Sequence, residues 1–157
     1  MKKLILSLPI LFAFILVLSS CGSKNPVEPS VKEKLTKTFT VSIAKEAGVE
    51  VYNKTKATNI EAGYSYYKLS LTSSGAATLT AKDNSTFTGS WTLTNSDKTL
   101  SLTGLKNAAG SNPTGTTGTI EFTIVSIDGT GAAVTLESLQ ADIKAGNKIV
   151  NLQLVNP

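Results

Sequence analysis

Apolar side chains recur at every second position over most of the chain from residue 35 onward. Thr or Ser fills most of the alternate positions, and short clusters of Gly, Asn, Asp and Ser separate the runs. A period of two with such punctuation is typical of half-buried β-strands joined by tight turns. The pattern predicts eight or nine short strands, at 35–43, 49–54, 67–71, 77–81, 86–94, 99–103, 120–127, 134–136 and 150–154.

These strands predict an all-β domain built on an antiparallel sheet, because the pattern has no strong helical crossover of the kind that parallel strands need. Each strand has one apolar face. A sheet hides such a face either by closing on itself or by stacking on a second sheet. Consecutive hairpins favour closure, which also removes exposed edges, so we expect an up-and-down barrel of about eight strands. A β-sandwich is the alternative.

Three segments depart from the simple alternation. Val125 and Ile127 break the phase of the run that precedes them, which indicates a bulge. Residues 128–131 (DGTG) are the strongest signal for a hairpin turn in the chain. Residues 138–147 fit either a short helix ended by Gly146 or a strand followed by a turn, and the pattern leaves both open.

The first 21 residues have a different character. Residues 1–3 carry two lysines, residues 4–18 form an apolar run, and Leu18-Ser19-Ser20-Cys21 follows. A membrane-spanning helix needs about 20 apolar residues, so this run is short for a permanent anchor. A positive start, a short apolar run and small residues are the parts of a secretory signal peptide. We predict a signal peptide at 1–20, with a transmembrane anchor as the alternative.

Leu18-Ser19-Ser20-Cys21 resembles the lipobox of bacterial lipoproteins. The resemblance implies cleavage before Cys21, attachment of a lipid to its thiol, and acylation of the new amino terminus. Two or three acyl chains hold a protein stably at a bilayer, whereas one holds it only marginally. Gly22 and Ser23 follow, where an aspartate would signal retention at the inner membrane. The expected partner is therefore the membrane, reached through the lipid on Cys21, and the expected location is the outer membrane of the cell envelope.

Residues 22–34 (GSKNPVEPSVKEK) separate this anchor from the strands. They include two prolines, mixed charge and two valines, which is too little apolar surface to offset the entropy lost on ordering. We expect three parts: a signal peptide at 1–20, a lipidated cysteine and flexible tether at 21–34, and one β domain at 35–157.

Composition excludes most classes of site. The chain has 15 basic residues, all lysine, against 11 acidic residues, so it lacks the strongly basic face and arginine forks that nucleic-acid binding favours. With no histidine and a single cysteine, the usual zinc sites and the Ser-His-Asp and Cys-His arrangements are excluded. The isolated aspartates of the short turns are expected to bond their own backbone. We predict no catalytic residues, no metal, no cofactor and no nucleic-acid partner.

A second resemblance rests on residues 87–103, FTGSWTLTNSDKTLSLT. The segment joins Gly89-Ser90-Trp91 to a turn containing Asp and Lys and then to a Thr-Leu-x-Leu strand. With the hairpin before it, the segment looks like the lipocalin-like domains found in lipoproteins of Bacteroidetes. Lys37-Thr38-Phe39 stands where many members carry an opening Gly-x-Trp. The resemblance implies an antiparallel barrel that is either packed solid or holds one small apolar ligand, since eight strands lie at that boundary.

Aromatic side chains on the apolar faces are the candidate ligand-binding residues. Alternation points Tyr67 inward and Tyr66 outward. Each candidate has a plain alternative as core packing, in which the indole N–H of Trp91 would meet a backbone acceptor. We expect a non-catalytic binding module for a small apolar ligand or an envelope protein partner, and the alternative is a structural domain with a filled core. The five candidates are Phe39, Tyr67, Phe87, Trp91 and Phe122.

Overall fold

The computed structural model describes residues 27–157. The predicted signal peptide at 1–20, the lipidation of Cys21 and the first part of the tether lie outside the described residues. Within 27–157, no helix is both long enough and apolar enough to cross a membrane.

The described residues form nine antiparallel strands, and eight of them close into a barrel. Strand β1 pairs with β3 on one side and with β9 on the other, so the sheet has returned to its first strand after a full circuit. The additional strand, β2, pairs with the last residues of β1, beyond the point where β3 ends. This arrangement confirms the predicted barrel over the sandwich. The strands are β1 Thr38–Glu46, β2 Val49–Asn53, β3 Lys68–Leu71, β4 Ala76–Thr80, β5 Thr86–Thr94, β6 Thr99–Lys106, β7 Ile120–Ile127, β8 Ala133–Ser138 and β9 Val150–Val155.

A short helix precedes the barrel where the pattern predicted the end of the tether and the start of the first strand. Helix α1 spans Val31–Leu35, and Ser30 caps it through a reciprocal pair of hydrogen bonds with Glu33. Such a capping box satisfies two backbone donors at the helix start. Leu35 is fully buried in the core, so its apolar character reflects helix docking, and the strand begins at Thr38 instead of Leu35.

Strand β1 also changes which side chains face inward. Its register against β9 shifts between Val41 and Ile43. An extra residue in one strand reverses the alternation beyond it. Ala44 and Glu46 are therefore buried, while Ile43, predicted on the apolar face, is only half-buried. The irregularity predicted from Val125 is confirmed, since the β7–β8 register shifts between Ile124 and Ser126.

The two ends of the barrel differ. The closed end carries the short turns at 72–75, 95–98 and 128–132, and α1 lies against the last of these, where a Cβ on Gly131 would overlap the Lys34 backbone. Asp128 holds that turn by accepting hydrogen bonds from the backbone N–H groups of residues 130, 132 and 133. The open end carries the longer connections at 54–67, 107–119 and 139–149.

The ambiguous segment 138–147 contains neither a regular helix nor a strand beyond its first residue. Strand β8 ends at Ser138, and a single 3₁₀ turn occupies Ile143–Ala145. Asp142 caps this turn by accepting from the backbone N–H of Lys144 at 2.8 Å. Gly146 ends it in the left-handed conformation, which glycine adopts without a Cβ penalty.

Side chains fill the half of the barrel nearest the closed end. Trp91 is 3 % exposed, and its indole N–H donates to the carbonyl oxygen of Thr72 at 2.9 Å. A Cβ on Gly89 would overlap the carbonyl oxygen of Thr103, so a glycine there lets β5 pass β6 at their bulge. Leu35 of α1 and Phe39, Val134 and Leu154 at the closed ends of their strands are among the largest fully buried side chains.

Candidate functional site

A cavity of about 380 Å³ occupies the half of the barrel nearest the open end. Strand residues form its inner wall, and the two long connections at 107–119 and 139–149 form its mouth. Drug-sized ligands bind in pockets of roughly 300–1,000 Å³ that are mostly apolar and carry a few polar groups. The lining residues on the strands and at their ends are Tyr67, Leu79, Ala81, Phe87, Ile120, Glu121, Phe122, Ser138, Val150 and Leu152.

The inner wall is apolar because adjacent strands present their inward positions at the same level. Leu79 of β4 lies directly opposite Phe87 of β5, and Leu152 of β9 lies opposite Leu136 of β8. Phe87 and Phe122 are 3 % and 4 % exposed, so nearly all of each ring is packed and one surface borders the cavity. Such a wall favours apolar contents at roughly 25 cal/mol per Å² of apolar surface removed from water.

Two loops meet across the mouth. Residues 113–117 approach from the β6–β7 connection, and residues 140–144 approach from the β8–β9 connection. Ile143 is 50 % exposed, and its side chain occupies the space that a Cβ on Gly115 would need. Gly115 has φ +78°, a conformation that side-chain-bearing residues rarely adopt. Ile143 therefore packs against Gly115 across the mouth, and this contact requires that residue 115 carry no side chain.

Tyr67 supplies a polar atom to the cavity. The residue is 8 % exposed and lines the cavity, as its inward alternation predicted, while Tyr66 is exposed. Among residues 27–157, the only fully buried side-chain polar atom without a partner is the Thr40 hydroxyl. The Tyr67 hydroxyl forms no hydrogen bond within that range, so it must border open space. Burial and then the carboxylate of Asp142 raise the pKa of Tyr67, which keeps its hydroxyl protonated.

Lys144 brings an ammonium group to the mouth. Its Nζ lies 2.6 Å from Oδ2 of Asp83 on the β4–β5 turn and 5.7 Å from the centre of the Phe87 ring. Burial raises the pKa of Asp83, but the hydrogen bond from Lys144 and those from Ser85 outweigh it, and the pKa is lowered overall. The ammonium is thus already paired, and its contact with the ring adds a cation–π attraction.

A buried ionic cluster supports the wall beside Tyr67. Glu46 is 4 % exposed and accepts from Nζ of Lys82 at 2.9 Å and from the hydroxyl of Tyr64 at 3.0 Å. Glu61 pairs with the same ammonium at 3.2 Å. The Tyr64 and Tyr67 rings lie 6.3 Å apart, within the range of favourable aromatic pairs. This cluster fixes the chain before β3 against the end of β1.

The structure separates the five aromatic candidates into two groups. Tyr67, Phe87 and Phe122 lie together on the cavity wall. Phe39 and Trp91 are buried and do not line the cavity. The hydrogen bond of Trp91 to Thr72 is the arrangement expected of a core residue, and Phe39 lies opposite Leu69 toward the closed end.

Sequence reasoning missed the residues of the mouth. It assigned no site role to residues 113–117, to Asp142 or to Lys144, which all line the cavity. Glu121 also lines the cavity, and its carboxylate accepts from the side-chain amide of Gln140 at 3.3 Å. One signal was available, because 107–119 is a long connection in a chain of tight hairpins. Long loops in compact domains are often functional.

One comparison with known proteins supports the fold. No protein-family model matches the chain, and no curated protein matches it. Among solved structures, a lipocalin-like protein from Bacteroides uniformis is similar, with a TM-score of 0.50, 12% sequence identity, and alignment over 79% of this chain and 99% of that one. At that identity the likeness concerns the fold alone: the described residues form a lipocalin-like β-barrel.

Proposed function

We propose that this domain is a non-catalytic binding module that holds one small apolar molecule in the open end of its barrel. The observation that carries the proposal is the unequal filling of the interior. Side chains pack the closed half, whereas the open half contains a cavity of about 380 Å³ beneath two loops. A purely structural barrel would gain packing energy by filling that space, since interiors are normally close-packed.

The proposal includes a place at a membrane, and this part rests on the sequence. The resemblance of residues 18–21 to a lipobox supports a lipid on Cys21. The described chain enters the barrel through α1 at the closed end. With the anchor attached there, the mouth formed by 113–117 and 140–144 would open on the opposite side from the tether.

A fluorescence titration tests the binding proposal. N-phenyl-1-naphthylamine, an apolar dye that brightens on leaving water, is added to the full chain in maltoside micelles at one fixed detergent concentration. Ala81→Phe places a ring in the cavity, and Ala132→Phe makes the same change on the exposed turn at the closed end. We expect saturable binding by the unmodified chain and by Ala132→Phe, and a loss of at least about tenfold in affinity for Ala81→Phe. Equal dye signals from all three proteins would overturn the proposal.

Cell fractionation tests the anchor separately. Cys21→Ala is expected to remain unprocessed or to leave the membrane fraction, whereas Lys24→Ala, three residues later, should fractionate as the unmodified protein does. A processed Cys21→Ala protein that stayed with the membrane would contradict lipid anchoring. The binding proposal would still stand in that case, because it depends only on residues of the barrel.

A further inference from the structure

The charged residues that line the cavity differ in whether they form a salt bridge. Glu121, Asp142 and Lys144 are the charged residues that line it. The ammonium of Lys144 is bound to Asp83 at 2.6 Å, so its charge is already balanced by a residue outside the cavity. Within residues 27–157, neither Glu121 nor Asp142 forms a salt bridge. The lining therefore carries an excess of negative charge.

This balance disfavours an anionic ligand. A carboxylate entering the mouth would have to displace Asp83 from Lys144 while approaching two carboxylates, those of Glu121 and Asp142, that have no salt-bridge partner within residues 27–157. Like charges brought together in a partly desolvated site repel more strongly than they do in water. The single lysine at the mouth is therefore not a free receptor for an acid.

One corner of the cavity can receive a hydrogen-bond donor. The Asp142 carboxylate is half-buried and accepts one bond, from the backbone N–H of Lys144, which leaves lone pairs unused. Asp142 and Tyr67 line the same cavity, and the Asp142 carboxylate adds to the effect of burial in raising the pKa of the Tyr67 hydroxyl. Tyr67 is more than nine-tenths buried, and its hydroxyl has no partner within 27–157. Two residues whose side-chain oxygens can accept hydrogen bonds thus line the same cavity as the apolar wall.

We propose that the cavity prefers an apolar amine to the corresponding acid, with the ammonium group bound by the carboxylate of Asp142 and the hydroxyl oxygen of Tyr67 and the hydrocarbon part packed on Phe87 and Phe122. This inference rests on the proposed function, because it assigns the ligand class of the same cavity. A charge-assisted hydrogen bond is stronger than a neutral one, so an ammonium is favoured over a hydroxyl at this corner.

The test compares three ligands that share a hydrocarbon chain and differ in one end group. Decylamine, decanol and decanoate are titrated separately into the ¹⁵N-labelled full chain at neutral pH, in the same maltoside micelles. Binding is followed through the backbone amide signals of residues 113–117 and 142–144, excluding the proline. We expect decylamine to bind at least about tenfold more tightly than decanoate, the scale of one charge-assisted hydrogen bond, with decanol between them.

Variants then locate the preference. Asp142→Asn should reduce the advantage of decylamine over decanoate by about tenfold. Tyr67→Phe should weaken the binding of decylamine and of decanol several-fold. Asp97→Asn is the matched control, since it removes the same charge from the exposed β5–β6 turn at the closed end, and its left-handed φ of 62° suits asparagine. The control should keep the full preference.

The possible results separate the amine preference from the proposed binding of an apolar molecule. Decanoate binding as tightly as decylamine, or an unchanged preference in Asp142→Asn, would overturn the amine assignment while the dye titration still supported a binding module. Failure of all three ligands and of the dye to bind would overturn the proposed function itself. If Asp142→Asn proves unfolded by its amide spectrum, the ligand comparison in the unmodified chain still decides the assignment.

Discussion

The indole N–H of Trp91 donates to the carbonyl oxygen of Thr72 at 2.9 Å, at the closed end of the barrel. The bond joins β5 to the turn that follows β3, and the backbone N–H of Trp91 is bound to Gly75 in the same turn at 2.8 Å. The one tryptophan of the chain therefore belongs to the filled half of the interior, although it stands in the most recognisable motif of the sequence. The packed core around Trp91 and the cavity occupy different halves of this barrel.

Trp91→Ala is expected to destabilise the protein without altering the site. Loss of a buried tryptophan costs about 3–5 kcal/mol, from lost apolar burial and the cavity left behind. Equilibrium denaturation in urea measures that change. The dye affinity of the folded fraction should equal that of the unmodified chain, because Trp91 does not line the cavity. Retained stability together with lost dye binding would reverse the roles assigned to the two halves.

Gly115→Ala is expected to disturb the mouth, because the new methyl group would occupy the position of the Ile143 side chain. The Ile143 side chain must move aside, which changes the contact between the two loops at the mouth, so we expect dye binding to change several-fold. The same fluorescence titration measures this.

Gly110→Ala is the matched control for that change. Gly110 lies in the same connection with φ +77°, close to the +78° of Gly115, but a Cβ there would meet nothing within 4 Å. Both variants carry the same left-handed strain of about 1 kcal/mol or more, so only the steric term differs. Adding Ile143→Ala to Gly115→Ala should restore the affinity. Equal behaviour of the two alanine variants would show that Ile143 does not control the mouth.

Glu46→Gln is expected to cost about 2–4 kcal/mol, because it removes the charge that balances a largely buried ammonium on Lys82. Glu61 retains one contact with that ammonium, which limits the loss. Glu137→Gln on the exposed face of β8 is the control and should stay within about 0.5 kcal/mol of the unmodified protein. Urea denaturation compares them, and equal midpoints would contradict a structural role for the cluster.

Raising the pH above 10 should unfold the protein, and Tyr64 and Tyr67 should lose their protons in the same transition. Burial, then the hydrogen bond to Glu46, raises the pKa of Tyr64, and burial followed by Asp142 raises that of Tyr67, both from an ordinary value of 10.0. Above pH 10 the folded chain holds more protons than the unfolded chain, so stability is full below that pH and falls as pH rises. Tyrosinate absorbance and circular dichroism should show two of the four tyrosines ionising only with loss of the fold. Full ionisation in a folded protein would contradict this.

The barrel could be predicted from the sequence because strands and tight turns leave local signals, an alternation of apolar and polar residues and short clusters of turn residues. Alternation located the nine strands, the phase break at Val125 located a bulge, and the DGTG turn closed a hairpin as expected. The first strand was misplaced for a physical reason. Leu35 is apolar because α1 docks it into the core, and the shift after Val41 turns Ala44 and Glu46 inward. Both effects depend on tertiary packing, which a single strand pattern does not encode.

The site was only partly predictable for a related reason. Alternation identifies inward residues, and it brought Tyr67, Phe87 and Phe122 to the correct face of the sheet. It does not give the level of a residue along the barrel axis, so Trp91 and Phe39 could not be separated from them. The mouth is formed by irregular loops. In such loops the side chains are placed by individual turns and caps, such as the cap by Asp142, and a periodic sequence pattern does not predict their positions.

The proposed function requires that an apolar molecule enter the open half of the barrel without changing the packing of the closed half. The most direct measurement is an amide spectrum of the ¹⁵N-labelled full chain during addition of N-phenyl-1-naphthylamine. We expect saturable shifts at residues 114–117 and 142–144, with the indole N–H signal of Trp91 unmoved. The absence of saturable shifts, or shifts confined to the outer faces of the strands, would contradict it.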